Sequence, residues 1–422
     1  MSLPIRHLPV VQNWDCHAGG SCCKEYLVTI TDEERRRIEA QGWENDAEIG
    51  GLPLFKKSGP WWRRRYHLNS REDGSCVFLS EKGLCRIHGK FGYETKPLPC
   101  RLFPFVLIPV GDHWRVGMRF ACPSAAENKG RPIAQHTEAL HEFADLLAKR
   151  EGLDSKPPGS LRPPRLHGRS RLDWPELQSL VRTLSQLLRN PKDRIERRLR
   201  KCLALAELCR QARLDHLSGK RFDELMGLLA LSLEDQVPVE PASLPPPSWV
   251  GRVLFRLAVA IFTRKDHGPD SGVARKGRRA LLGAAWRFAR GSGPVPRMHQ
   301  KIGASTFAQI EAASSRLTPE AEAVLERYYT IKVESLQFCG AANLRLPVWE
   351  GFDVLALTYP MLMWVMRTMG DRPPAEAVTR ALTIVDDHFG FNPVLGTLRQ
   401  RMSFRILSYT GQLPRLIAWY GR

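Results

Sequence analysis

The sequence predicts an α+β protein in which a small, cysteine-rich, metal-binding head of short hairpins precedes a larger, all-α helical body. Seven of the ten cysteines (Cys16, Cys22, Cys23, Cys76, Cys85, Cys100 and Cys122) fall within the first 122 of 422 residues. Around them, short β-branched runs alternate with turns rich in Gly, Pro and charge; from about Pro132 long amphipathic patterns take over. The head is placed at residues 1–130 and the body at 131–422.

Within the head, Tyr26–Ile30 is β-branched enough for a short strand. Thr31 and Glu34 then have capping-box spacing for a helix reaching about Ala40. Residues 42–69 read as irregular, with Trp61-Trp62-Arg63-Arg64-Arg65-Tyr66 as a solvated loop holding one buried tryptophan. Cys76–Leu79 and Leu84–His88, across Ser80–Gly83, read as one hairpin. Phe105–Val110 and His113–Phe120, across Gly111-Asp112, read as a second. In the body, helices are expected over Thr137–Lys149, Trp174–Leu188, Asp193–Ala212, Phe222–Leu233, Val348–Met369, Pro374–His388, Pro393–Leu407 and Pro414–Tyr420. Thr318-Pro319-Glu320 supplies an N-cap hydroxyl, a first-turn proline and an acid at the positive helix end. Breaks fall at Ser155–Ser170, Val237–Ser248 and the basic Arg264–Arg279.

Hydrophobic residues at 43% and charged residues at 25% exclude a disordered, collagenous or coiled-coil chain. The net charge of +19 is concentrated in residues 149–301, where 31 Lys/Arg face 15 Asp/Glu; residues 302–422 are near neutral. That segment reads as a solvated surface, with docking to an acidic partner or nucleic acid as the alternative. No apolar run precedes Cys16, and the longest one, Val354–Met366, is too short to span a bilayer. A cytoplasmic protein with no membrane contact is expected, in a compartment where thiols stay reduced and a cysteine cluster points to metal. Patterns for dinucleotide, P-loop, α/β-hydrolase and radical S-adenosylmethionine chemistry are missing.

The spacing is Cys16-x5-Cys22-Cys23, then Cys76-x8-Cys85-x14-Cys100, then Cys122. Thiolates are soft donors suited to zinc and to iron–sulfur clusters. Gly19 and Gly20 let the first loop turn sharply, and Pro97, Pro99 and Pro104 frame Cys100. All seven are candidate ligands. Cys22, Cys76, Cys85 and Cys100 form the expected core set, Cys16 and Cys122 are alternates, and Cys23 serves a second site or supports the first. With His17 or His88 the donors number eight, enough for two tetrahedral zinc ions; a single 4Fe–4S cubane needs four thiolates. A head this loop-rich is expected to depend on metal for its fold. Cys202, Cys209 and Cys339 read as core residues.

The stretches Cys16 to Cys23, Cys76-Val77-Phe78-Leu79 with Leu84-Cys85-Arg86-Ile87-His88, and Pro97-Leu98-Pro99-Cys100-Arg101-Leu102-Phe103-Pro104 resemble the YkgJ-type cysteine-cluster family, described as binding zinc or an iron–sulfur cluster. The resemblance covers about residues 14–123. It departs from the family in the first loop, where many members carry a further cysteine and this chain has only residues 17–21 before Cys22. In length and layout the chain is also similar to flagellin lysine N-methylases. That resemblance implies a 4Fe–4S cluster, S-adenosylmethionine as methyl donor and a protein substrate presenting lysines, with Leu325–Tyr329 and Leu336-Gln337-Phe338 as its late aromatic helix. An enzyme of this kind needs a dry cleft, expected near Tyr328, Tyr329 and Trp364. The alternative is a non-enzymatic binding module whose structural zinc holds the head while the basic body engages an acidic partner or nucleic acid.

Overall fold

The computed structural model describes residues 3–17, 19–49, 51–157, 159–212, 214–314 and 316–422; Ala18 of the first cysteine loop and Pro158 of the first body linker lie outside them. The architecture is α+β, with small sheets in the first 132 residues and helices through most of the remaining chain.

Two sheets shape the head. Phe105–Val110 and His113–Met118 form the expected hairpin around Gly111, whose φ of 60° suits a residue without a side chain. Ile5–His7 adds to it in parallel. The second sheet is antiparallel, with Arg65–Leu68 between Thr29–Ile30 and Phe55–Ser58. Thr29–Ile30 falls in the expected strand, but the sequence predicts irregular chain for the other two, because residues 42–69 are rich in Gly, Pro, Trp and Arg. A buried side chain stitches them instead: the ring nitrogens of His67 meet Thr29 Oγ1 at 3.0 Å and Ser58 Oγ at 2.5 Å. Trp61 and Trp62 differ as well, since both are exposed on the turn between two of these strands. The hairpin expected over Cys76–His88 is reduced to one isolated pairing, Leu79 with Cys85, and Cys76 pairs outside it with Ser70. Its strands are too short for a ladder, and the chain enters the helix Arg86–Phe91 directly after Cys85.

Helix starts follow the capping logic. Thr31 and Glu34 make the reciprocal capping box that opens Asp32–Glu39. Thr318 accepts from the Ala321 amide and opens Pro319–Glu334. The body also contains Trp249–Phe262 and Arg278–Arg290, beyond the helices read from the sequence. At its centre Val348–Met366 is apolar on every side, and all but one of its residues are buried. Gln412–Gly421, Pro374–Val385 and Leu398–Tyr409 pack around it. Cys202, Cys209 and Cys339 are buried core residues.

Part of the basic charge of residues 149–301 is internal. Arg197, Arg198, Arg200 and Lys201 are buried on Ile195–Gln211, where Arg200 pairs with Glu196, and Lys201 with Asp193 and Glu234. No helix among the described residues is long and apolar enough to cross a membrane.

Two hydrophobic cores result. A small one joins Ile30, Ile38, Trp43, Leu68, Val77, Phe78 and Ile87, with Cys76, Cys85 and Cys100 packed against it. The large one runs through the body and takes in the second hairpin, Phe120 and Cys122. The hairpin is fastened by a fully buried ion pair, Lys332 with Asp386 at 2.6 Å. Lys332 also donates to the Met118 carbonyl, and Asp386 accepts from the amides of Phe120 and Ala121. A second network ties the helix Ser21–Glu25 to the body. Lys265 bridges Glu25 and Asp387, Lys301 bridges Glu25 and Asp270, and Arg119 meets Asp387.

Burial alone pushes the Asp387 carboxyl up, yet Lys265, His388 and Arg119 outweigh it and hold it at about 2. A depressed acid stabilises the fold above its unfolded pKa and loses that contribution as pH falls through the folded value. Asp387→Asn is therefore expected to cost roughly 2 kcal/mol at neutral pH. The difference between wild type and variant in urea unfolding should shrink as pH drops from about 4 toward 2. A gap of constant size across that range would contradict the assignment.

Candidate metal centre

Each cysteine is carried by a short element that local sequence explains. Cys22 and Cys23 lie on the one-turn helix Ser21–Glu25, which starts after Gly20 in the left-handed region. Cys76 donates its amide to the Cys23 carbonyl at 2.6 Å, which locks these two segments together. Cys85 and Cys122 stand immediately before the helices Arg86–Phe91 and Pro123–Ala126. Cys100 rides on Leu98–Leu102, a helix that prolines allow to begin abruptly. Glu34, already used in the capping box, also accepts from the Leu98 amide at 2.7 Å and so anchors the Cys100 turn.

The first loop is held against residues 123–132. Asn13–Trp14 pairs with Arg131–Pro132, and Arg131 clamps the Asp15 carboxylate. This brings exposed Cys16 to the same side as Cys122. The close approach needs Gly130, where φ is 116° and a Cβ would run into the Asp15 amide. Gly130→Ala is expected to cost about 1–3 kcal/mol and to speed metal loss to a competing chelator. Gly42→Ala, at a positive φ with open space around it, separates backbone strain from the collision. Equal metal retention in the two variants would refute this role for Gly130.

Cys16, Cys22, Cys100 and Cys122 line one cavity of about 330 Å³, together with His17, Tyr93 and Lys96. Cys76 and Cys85 lie beside it, where they act on one another and on Cys100. Cys100 is pushed well above the ordinary thiol range, first by burial and then by Cys76, Cys85 and Cys22. Cys76 is raised to about 12, chiefly by burial. Cys22 is raised mainly by its contact with Cys23, whose sulfur is 3.9 Å away. Buried neighbouring thiols of this kind stay protonated until a cation replaces their protons.

The surroundings fit a cation held by thiolates. Trp14 Nε1 is buried without a hydrogen-bond partner and lies against Cys122, a donor waiting for a sulfur anion. The Phe78 amide favours ionised Cys76, and those of Ala125 and Ser124 favour ionised Cys122. Lys96 eases ionisation of both Cys22 and Cys100. Arg101, next to Cys100, is committed elsewhere, to Glu94 and Glu142. Among the described residues no three cysteine sulfurs lie within 4.8 Å of one another.

All seven predicted cysteines thus belong to one neighbourhood, with Cys23 set back from the cavity. His17 is on the cavity wall, whereas His88 is exposed against the Tyr93 ring. Sequence reasoning missed Trp14, Lys96 and Gly130; only their closeness to cysteine-bearing loops hinted at them. The expected aromatic cleft is not formed, because Tyr328, Tyr329 and Trp364 are fully buried in the large core, as their helical spacing equally permits. Glu25, Asp270 and His299 form a second group of converging donors, but the Lys301 ammonium already bridges its two carboxylates.

A domain of the metal-chelating, cysteine-cluster class is what this arrangement defines. Residues 15–130 match the CxxCxxCC family model, described as a "putative zinc- or iron-chelating domain", the same kind of family that the cysteine motifs resemble. The match covers a little over a quarter of the chain. Neither a curated protein nor a solved structure matches it.

Proposed function

We propose that the head holds an iron–sulfur cluster of the 4Fe–4S kind, on thiolates drawn from Cys22, Cys76, Cys85 and Cys100, with Cys16 and Cys122 at the open side. The supporting observation is the spacing of the thiols, with Cys22 and Cys100 on the cavity wall and Cys76 and Cys85 beside it. Four sulfurs on a single zinc ion stand about 3.8 Å apart, given Zn–S bonds of ~2.3 Å. Each thiolate of a cubane binds a different iron, so its sulfurs stand further apart. A set in which no three sulfurs approach within 4.8 Å suits the second arrangement.

Anaerobic purification, an absorption spectrum, and iron, sulfide and zinc counted per chain test this reading. Iron with matching sulfide and broad visible absorption is the expected result. Stoichiometric zinc without iron would overturn the cluster and favour the alternative of a zinc-held binding module.

The finer reading, methyl transfer from S-adenosylmethionine to lysines of a protein substrate, rests on length and layout. Since Tyr328, Tyr329 and Trp364 are interior, the candidate place for a methyl donor is the cavity beside the thiols, between Trp14, Tyr93 and Phe103. Calorimetry with S-adenosylmethionine on cluster-loaded protein is its test. Absence of binding at millimolar ligand, with the cluster intact, removes it.

A further inference from the structure

A cavity of about 600 Å³ opens in the body between the arm Leu161–Arg171, the turn before Pro347 and the helix Leu398–Tyr409. Six arginines line it, Arg162, Arg165, Arg171, Arg345, Arg401 and Arg405, and Glu350 is the one acid on its wall among the described residues. Only Arg405 is paired with that carboxylate, at 2.6 Å. Arg171 and Arg401 donate to the carbonyls of Pro163 and Leu344. Arg401 Nε is buried with no partner. Among the described residues, no hydrogen bond or ion pair engages the guanidinium groups of Arg162, Arg165 and Arg345. Arg162, Arg165 and Arg345 are solvent-exposed around the cavity, so their guanidinium groups are free to meet a ligand.

The backbone at the same wall is held in an unusual conformation, with Leu336 and Arg345 lining the cavity and Leu344 directly preceding Arg345. Leu336, Leu344 and Arg345 have φ of 61°, 52° and 59°, three of the four positive-φ non-glycine residues among those described. Bulky residues avoid this region, and where it persists the surrounding structure imposes it, most often at binding sites. It places the unpaired Arg345 on the cavity wall beside Arg401.

We propose that this cavity binds a small polyphosphate anion, one compact ligand carrying two or more phosphates. Guanidinium forks match phosphate oxygens two at a time, and a concave wall of one charge sign concentrates such an anion. The volume suits a single small molecule. A nucleic-acid strand would need a continuous groove. Trp174 on the same wall could stack on a base, so the anion is either free polyphosphate or the tail of a nucleotide.

The test is calorimetric titration of the metal-loaded full chain with inorganic triphosphate and with ATP, at about 0.15 M ionic strength so that weak surface attraction is screened. Metal content is measured before and after, which separates binding from chelation. One triphosphate per chain is expected. Arg165→Ala with Arg345→Ala should weaken it about a hundredfold, since each removes a charge-assisted contact. These side chains hold nothing in the fold, and Arg63→Ala, on the exposed turn in the head, should leave affinity unchanged. Equal affinities for triphosphate and ATP identify the phosphate chain as the ligand; tighter ATP identifies a nucleotide. The proposal is overturned if neither binds saturably or if the double variant binds as wild type.

Discussion

Stripping the metal with a strong chelator is expected to release residues 20–100 to proteolysis while the helical body and the second hairpin stay folded. Among the described residues the small core gathers eight buried apolar side chains, too few to offset the ordering of some eighty residues of loops, short strands and one-turn helices. Metal–thiolate bonds must supply the rest, on the order of 10 kcal/mol by analogy with structural metal sites. The hairpin Phe105–Met118 belongs to the large core and is pinned by Lys332 and Asp386, so it has no such dependence. The sequence alone suggests that the whole head depends on metal; the two cores divide it. Limited proteolysis with mass mapping, before and after chelation, reads the outcome directly. Full protection of residues 20–100 in metal-free protein would sink the idea.

Cys100→Ala should empty the site. Cys100 is the thiol on which the others converge, being influenced by Cys76, Cys85 and Cys22 while also lining the cavity with Cys16 and Cys122. In the proposed ligand set its replacement removes the thiolate at the middle, on a turn that Glu34 anchors. Metal per chain is expected to fall below about a tenth of wild type, by analogy with ligand removal from other metal sites. Cys202→Ala, a core thiol remote from the cluster, should keep full occupancy at some cost in stability. Cys23→Ala should fall between them, since Cys23 touches Cys22 but does not line the cavity. Full occupancy in Cys100→Ala would refute this ligand set.

Features governed by near neighbours were legible in the sequence. The capping box of Thr31 and Glu34, the turn at Gly111 and the start at Thr318-Pro319 depend on contacts within four residues, and each forms as expected. Trp174–Leu188 has the bounds that its periodicity and Pro175 indicate. What was not legible depends on distant partners. Phe55–Ser58 and Arg65–Leu68 pair with each other, but the sheet they belong to is completed by Thr29–Ile30, whose Thr29 meets His67, 38 residues away. Tyr328, Tyr329 and Trp364 recur at helical spacing, which cannot distinguish a core from a cleft. For the site, clustering identified the seven cysteines, but not the support they receive from Trp14 and Lys96. Nor does sequence adjacency decide charge pairing: Arg101 follows Cys100 directly, yet its guanidinium is held by Glu94 and Glu142.

Because Cys122 hangs from the large core while Cys76, Cys85 and Cys100 rest on the small one, a cation bound between them is a cross-link as well as a ligand. The two equilibria are then thermodynamically reciprocal. Whatever factor the bound metal adds to the docking equilibrium of the two cores, docking adds to metal affinity. The Lys332–Asp386 pair and the Glu25–Lys265–Asp387 chain would then govern metal retention without touching a sulfur, by setting the effective concentration at which one half of the ligand set meets the other.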